Sequence, residues 1–353
     1  MSLTTLPARE LIGRLHEFDS VIDARSESEY ALDHLPDAVN WPTLNDEERH
    51  SIGTLYVQVN PFEARKRGAA IAARNIAAHI ERELIAKAKD WKPLAYCWRG
   101  GQRSGALSLI LSQIGFRVTL LEGGYKAFRA EAVLDIARRV KQLNWQVVCG
   151  TTGSGKTRLL QALAVRGAQV IDLEGLANHR SSVLGAIPGL AQPSQKRFET
   201  LIWQTLRQFD PAQPVFIESE SKKVGNVALP PSLVDAMRAG ACLNLVLPDH
   251  ERVALLMEDY DFFVRDPELF CQRLQVLTAL LGKSLVTDWQ ACVRAGEIEP
   301  VVRELLNRHY DPVYQRSMRQ NFQQFEDAKV LAPGSRSGAA MALLAQQLIE
   351  EIP

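Results

Sequence analysis

The chain has 353 residues, room for two domains of ordinary size, and its 46% apolar and 23% charged side chains are those of a globular protein. Its 41 basic and 41 acidic residues cancel, so composition announces no nucleic-acid partner, and contact with RNA has to come from local segregation of charge. Five cysteines without a CxxC pair argue against a disulfide framework or a zinc site and for a reducing cytoplasm. The opening "MSLTTLPARELIGRLHEFDS" lacks the continuous apolar core of a signal peptide, and no stretch approaches a membrane span. The expectation is a cytoplasmic protein with no membrane partner.

In chain order, "SVIDAR" (20–25) reads as a short buried strand. Residues 60–90 follow with strong helix formers and apolar residues at helical spacing. "PLAYCW" (93–98) is a second strand, "SGALSLILSQIG" (104–115) a helix ending at glycine, and "RVTLLEGG" (117–124) a third strand. A connecting helix over 129–144 separates this half from a second alternating run: "WQVVC" (145–149), "AQVIDLE" (168–174), "PVFIESE" (214–220) and "ACLNLVLP" (241–248). Residues 249–347 are mostly helical by periodicity. The expected fold is α/β in both halves, with parallel sheets and functional groups at the carboxyl ends of strands. The domains are placed at 1–130 and 145–353, joined by a linker helix over 131–144.

"YCWRGGQRSG" (96–105) is a strand, a cysteine, a glycine-rich loop and a helix. That order aims the amides of Arg99, Gly100, Gly101, Gln102 and Arg103 at an anion on or beside Cys97 and favours its thiolate, the nucleophilic form. Arg99 and Arg103 add positive charge, and Ser104 is placed to cap the helix. The plain alternative, a buried cysteine before a turn, explains neither the two glycines nor the two arginines. The Cys-x5-Arg-Ser spacing fits cysteine phosphatases, whereas many rhodaneses have a loop one residue shorter, so the loop alone leaves both chemistries open. Upstream, "VIDARSESEYALDHLPDAVNWP" (21–42), with Asp23, Arg25 and His34, resembles the opening segment of rhodaneses. "LEGGYKAFR" (121–129) resembles the segment after their last strand, and Tyr96 stands where most tyrosine phosphatases carry histidine. The first domain is therefore read as rhodanese-like.

"GTTGSGKT" (150–157) is a complete phosphate-binding loop between a strand and a helix. Gly150, Thr151, Thr152, Gly153, Ser154 and Gly155 wrap phosphates with backbone amides, Lys156 reaches the terminal oxygens, and Thr157 is the candidate ligand for Mg²⁺. Asp172, Glu174 and Glu218 end neighbouring strands as candidate supports for metal or phosphate. Each is about as well explained as a helix cap or an ion-pair partner.

With "NPFEARKRGA" (60–69), "DLEGLANHRSS" (172–182), "FIESES" (216–221) and "HYDPVY" (309–314) added, the chain resembles the bacterial tRNA 2-selenouridine synthases over nearly its whole length. The resemblance implies replacement of the sulfur of 2-thiouridine at the tRNA wobble position by selenium from selenophosphate. It also implies an S-geranyl intermediate made from geranyl diphosphate. It makes tRNA the macromolecular partner and selenophosphate synthetase a candidate one. It further implies that Cys97 carries selenium as a selenenylsulfide, and it places geranyl diphosphate ahead of ATP as the ligand of the 150–157 loop. Arg180, Lys222, Lys223, Tyr310 and Tyr314 are the candidate RNA contacts, against a plainer reading as solvated helix face and core. Two rival readings remain: a sulfurtransferase or Cys-x5-Arg phosphatase with a regulatory ATPase domain, and a non-catalytic, nucleotide-gated sulfur carrier.

Overall fold

The computed structural model describes residues 2–352, which fold as two units. One comprises the chain up to Asp135 together with Ser194–Gln204; the other comprises Ile136–Pro193 and everything from Thr205 onward. A boundary read from the sequence between 130 and 145 does not include the excursion at 194–204, which groups with the first unit although it lies between strands of the second.

The first unit is built on five parallel strands: β1 (Ser2–Leu6), β2 (Ser20–Asp23), β3 (Ala38–Asn40), β4 (Pro93–Tyr96) and β5 (Arg117–Leu121), in the order β1-β5-β4-β2-β3. β4 is the middle strand and is buried along its whole length, as expected for a parallel strand covered on both faces. It therefore delivers Cys97 to the carboxyl edge of the sheet. Several elements were not legible in the sequence, the three-residue strand β3 among them. The edge strand β1, "SLTTL", is short and half polar, and the helix Asp46–Gln58 buries no residue at all, so it carries no apolar stripe. The helix Pro61–His79 starts as its sequence suggests, with Pro61 in the first turn and the Asn60 side chain accepting the Phe62 and Glu63 amides.

β2 stops where its last side chain turns to local work. The Asp23 carboxylate accepts the Arg25 guanidinium at 2.6 and 3.0 Å, the Arg25 amide at 2.9 Å and the Tyr96 hydroxyl at 2.7 Å. All three residues are fully buried, so each charge depends on the other. Asp33 organises a second buried cluster, accepting the Tyr125 and Thr200 hydroxyls at 2.8 Å each. Thr200 belongs to the helix Gln195–Leu206, and Trp203 on the same helix donates its indole N–H to Asp135 at 2.9 Å. These bonds explain why residues 194–204 join this unit.

The second unit has strands β6 (Asn144–Cys149), β7 (Gln169–Ile171), β8 (Pro214–Glu218), β11 (Ala241–Leu245) and β12 (Lys329–Leu331), all parallel, in the order β12-β11-β6-β8-β7. A small antiparallel hairpin, β9 (Lys223–Val224) and β10 (Val227–Ala228), stands apart from this sheet. The helices Lys156–Val165 and Gly338–Glu351 share one apolar cluster with the sheet through Leu159, Leu163, Leu344 and Leu348. Residues beyond 249 are mostly helical, as their periodicity suggests, except that β12 returns to pair with β11. Three residues are too short a run for any period to register.

Removing one partner of the buried Asp23–Arg25 pair strands the other charge. Asp23→Ala is expected to cost about 3–5 kcal/mol, read as a shift of the first unit's urea unfolding midpoint. A shift within experimental error would contradict the pairing.

Candidate functional site

Cys97 follows β4 and is only 3% exposed. The Ser104 hydroxyl donates to its Sγ at 3.1 Å. Ser104 was expected to cap the helix; instead the helix Gln102–Ile114 starts from Gly101 without a side-chain cap, and Ser104, fully buried in the first turn, serves the sulfur. The loop's carbonyls are turned to another task. The amides of Tyr125 and Lys126 donate to the carbonyls of Cys97 and Trp98 at 2.8 and 3.0 Å. Gly124, at φ +59°, lets the backbones meet, since a Cβ there would lie 2.3 Å from the Cys97 carbonyl oxygen. The glycines of "LEGGYKAFR" are thus a packing requirement of the cysteine loop. Arg103 is already engaged: it donates to Glu29 at 2.7 Å, and Arg49 reaches the same carboxylate at 3.1 Å. Burial alone would raise the Glu29 carboxyl, but the adjacent Arg103 holds it below the usual range. Arg99, Gly101 and Gln102 are exposed on the loop.

In the second unit the loop 150–157 joins β6 to the helix Lys156–Val165. Gly150, at φ +150°, has no room for a side chain, since a Cβ would sit 2.6 Å from the Leu245 carbonyl oxygen. Lys156 Nζ donates to the Gly150 carbonyl at 2.7 Å, and the Thr157 hydroxyl donates to Glu174 at 3.3 Å. Both flanks of the loop are tied to the helix Asp311–Asn321. At one flank the Gly150 amide donates to the Tyr314 hydroxyl at 2.6 Å. At the other, the buried Arg252 donates to the Thr152 carbonyl at 2.9 and 3.1 Å and to Asp311 at 2.6 Å.

Beside the loop lies a cavity of about 310 Å³, walled by Lys156, Thr157, Glu174, Arg180, Glu220 and Tyr314 among others. A smaller recess of about 50 Å³ shares Thr152, Ser182, Leu256, Tyr260 and Tyr310 with it and is otherwise apolar, lined by Phe263, Phe270, Val302, Leu305 and Leu306. Burial lifts the Glu174 carboxyl from its ordinary 4.5 to about 8, with the neighbouring Glu220 carboxylate adding repulsion. Burial, then Glu174, also pushes Glu218 well up. Such carboxyls stay protonated near neutrality until a cation arrives.

The family model for the tRNA 2-selenouridine synthase AAA domain matches residues 143–272, and that for the rhodanese-like domain matches residues 7–131. The chain is 31% identical over 346 residues to a Shewanella halifaxensis protein named tRNA 2-selenouridine synthase, covering 89% of this chain and 93% of that one. The chain belongs to the tRNA 2-selenouridine synthase family. Proteins of the same name from Sulfurovum sp. and Alcanivorax borkumensis are 37% and 36% identical over 245 and 246 residues, 68% of this chain in each case. Those two matches span 65% and 66% of the relatives' own lengths.

The phosphate loop, Glu174, Arg180, Tyr310 and Tyr314 come together around one cavity. Arg180, Tyr310 and Tyr314, the expected RNA contacts, are half-buried and line this cavity. Arg180 lies over the Tyr260 ring and pairs with Asp259, and Tyr314 spends its hydroxyl on Gly150 and Ser219. Lys222 and Lys223 are exposed at the β9 hairpin. Asp172 does not line the cavity; it caps the helix Leu173–Ala177 by accepting the Gly175 amide at 2.7 Å. Glu218 lies fully buried behind the lining and accepts the Glu174 amide at 2.8 Å, so it orients Glu174, which faces the cavity. Arg252 and Asp311 escaped sequence reasoning. Only the position of Asp311 inside "HYDPVY" hinted at a role, and nothing singled out Arg252.

Between about 4.5 and about 8 the folded protein holds a proton at Glu174 that the unfolded chain has released, so this carboxyl makes stability fall as pH rises through that window. Glu174→Gln is expected to flatten the fall in urea-unfolding free energy. Parallel pH profiles for variant and parent would contradict a protonated Glu174.

Proposed function

We propose that the protein exchanges the 2-thio sulfur of wobble uridine in tRNA for selenium from selenophosphate, by way of an S-geranyl intermediate. The observation that carries this reading is the apolar recess opening from the phosphate-loop cavity. A diphosphate held by amides and Lys156 would have, beside it, walls of Phe263, Phe270, Leu305 and Leu306, which suit a hydrocarbon tail better than a nucleotide base in need of hydrogen-bonding partners. Geranyl diphosphate meets both demands.

In the first step the thiouridine sulfur attacks C1 of the geranyl group, the C–O bond to the diphosphate breaks, pyrophosphate leaves, and the N3 proton of the base passes to solvent. Lys156 meets the charge that grows on the leaving group. Among the described residues no group of three or more His, Cys, Asp or Glu has metal-holding geometry. Mg²⁺ nevertheless often takes only one or two protein oxygens, with phosphates and water completing the shell. The Thr157 hydroxyl and Glu174 carboxylate, already in contact, would hold it there, where its charge would neutralise the diphosphate.

The second step belongs to the Cys97 loop. Alkylation has made the sulfur a leaving group: Cys97 Sγ attacks C2 of the base, the C2–S(geranyl) bond breaks, and geranylthiol departs with a proton. The selenium of selenophosphate then displaces Cys97 from C2, and water cleaves the Se–P bond to release phosphate. In this reading Cys97 is a nucleophile and not a selenium carrier. Joining its thiol to the selenium of selenophosphate, both fully reduced, would release two electrons with nothing to accept them. Ser104 steadies the thiolate that attacks in the first displacement and leaves in the second.

The steps separate in purified enzyme with 2-thiouridine RNA and nucleoside mass spectrometry. Lys156→Ala is expected to slow geranylation by about 10²–10³. Cys97→Ser should let S-geranyl RNA accumulate without 2-selenouridine. Unimpaired geranylation in the first variant, or normal selenation in the second, would overturn the assignment of that loop.

A further inference from the structure

A groove of about 650 Å³ crosses the first unit beside the cysteine loop, bounded by the helices Asp46–Gln58, Pro61–His79 and Gln102–Ile114. Its lining is mostly aliphatic and small: leucine, isoleucine and a run of alanines that includes Ala69, Ala72 and Ala106. The polar side chains along it are Tyr56, Arg65, Gln102 and Arg103. The last two belong to the cysteine loop itself. Ile76 and Ile110 line the groove and also pack in the apolar cluster that contains Cys97, so groove and sulfur adjoin one core.

Along this edge the exposed cation is Arg65. Arg103 and Arg49 converge on the single carboxylate of Glu29, and Arg49 also acts on the Asp46 carboxylate. Arg65 donates from Nε to the neutral Pro61 carbonyl and has no ion pair among the described residues. An aliphatic trough with a cationic edge fits a hydrocarbon chain attached to a polyanion. It does not fit a bare nucleobase, which is read through hydrogen bonds along its edges.

We propose that this groove takes the S-alkyl chain of the modified uridine while C2 of that uridine is at the Cys97 loop, with Arg65 and Arg103 beside the RNA phosphates. The inference rests on the function proposed above and adds a selectivity to it. Selenium exchange would favour RNA whose sulfur carries a long aliphatic group over RNA with a short one, since only the long chain fills the trough. Alkylation would then serve twice, as activation of the leaving sulfur and as the handle by which the second loop recognises its substrate.

The test uses the full-length enzyme, selenophosphate and two anticodon stem-loop RNAs carrying S-geranyl- or S-methyl-2-thiouridine. Formation of 2-selenouridine is followed by mass spectrometry, and geranyl transfer to 2-thiouridine in the same preparation measures the amount of folded enzyme. The parent should prefer the S-geranyl RNA in kcat/KM. Ala72→Leu, which narrows the trough, should reduce that preference at least about tenfold. Ala69→Leu, at a more exposed point of the same helix, should act in the same direction and guards against a folding defect in the first variant. A preference unaltered in both variants, or no preference in the parent, would overturn the groove's role. Failure of the parent to convert either alkylated RNA would instead overturn the underlying reading, and the inference with it.

Discussion

A loop can turn its amides toward an anion only if its carbonyls are held elsewhere, and both loops here meet that demand by borrowing donors from distant sequence. The carbonyls of Cys97 and Trp98 are taken by the first amides of the helix Gly124–Arg139. The carbonyl of Thr152 is taken by Arg252. Buried backbone groups are rarely left unpaired, so each borrowed donor fixes which way a peptide unit faces. The anion-binding character of each loop is therefore written outside the loop, in "LEGGYKAFR" for one and around Arg252 and Asp311 for the other.

Parallel sheets make this economy possible. In each unit the loop leaves the central strand at its carboxyl end, and the next helix begins there, so amides and helix dipole point the same way. Around the phosphate loop the positive end meets buried carboxyls. Glu218 supports Glu174 from below, and Glu174 and Glu220 face the cavity. Burial raises the proton affinity of all three, and neighbouring carboxylates raise it further at Glu174 and Glu218, which ties the site's charge to what it holds. A bound cation would release protons from this cluster, so charge balance in the cavity is set by occupancy as much as by pH.

Much of this was legible in the sequence, and the reasons it stopped are physical. The two loops announced themselves because glycine, lysine and cysteine at fixed spacing have few alternative uses. The buried strands β2, β4, β6 and β8 were legible as unbroken apolar runs. What escaped were β1, β3 and β12, short strands at sheet edges, and the helix Asp46–Gln58, which buries nothing and so shows no apolar stripe. Side-chain duties escaped for a similar reason. Nothing in the spacing tells whether Ser104 faces a helix amide or a sulfur, or that Tyr314 faces inward. Arg252 is an unremarked arginine in a charged helix until the fold brings it under Thr152.

The helix Gln195–Leu206 carries one consequence beyond chemistry. Its Thr200 and Trp203 satisfy Asp33 and Asp135, buried groups of the N-terminal half. No single cut of the chain yields that half intact: a fragment ending near Asp135 would keep the acids and lose the Thr200 and Trp203 donors. The two halves are thus not beads on a string that could be shuffled by joining genes end to end. Whatever their separate ancestries, their present sequences must be inherited together, because each half of the chain encodes part of one folded body.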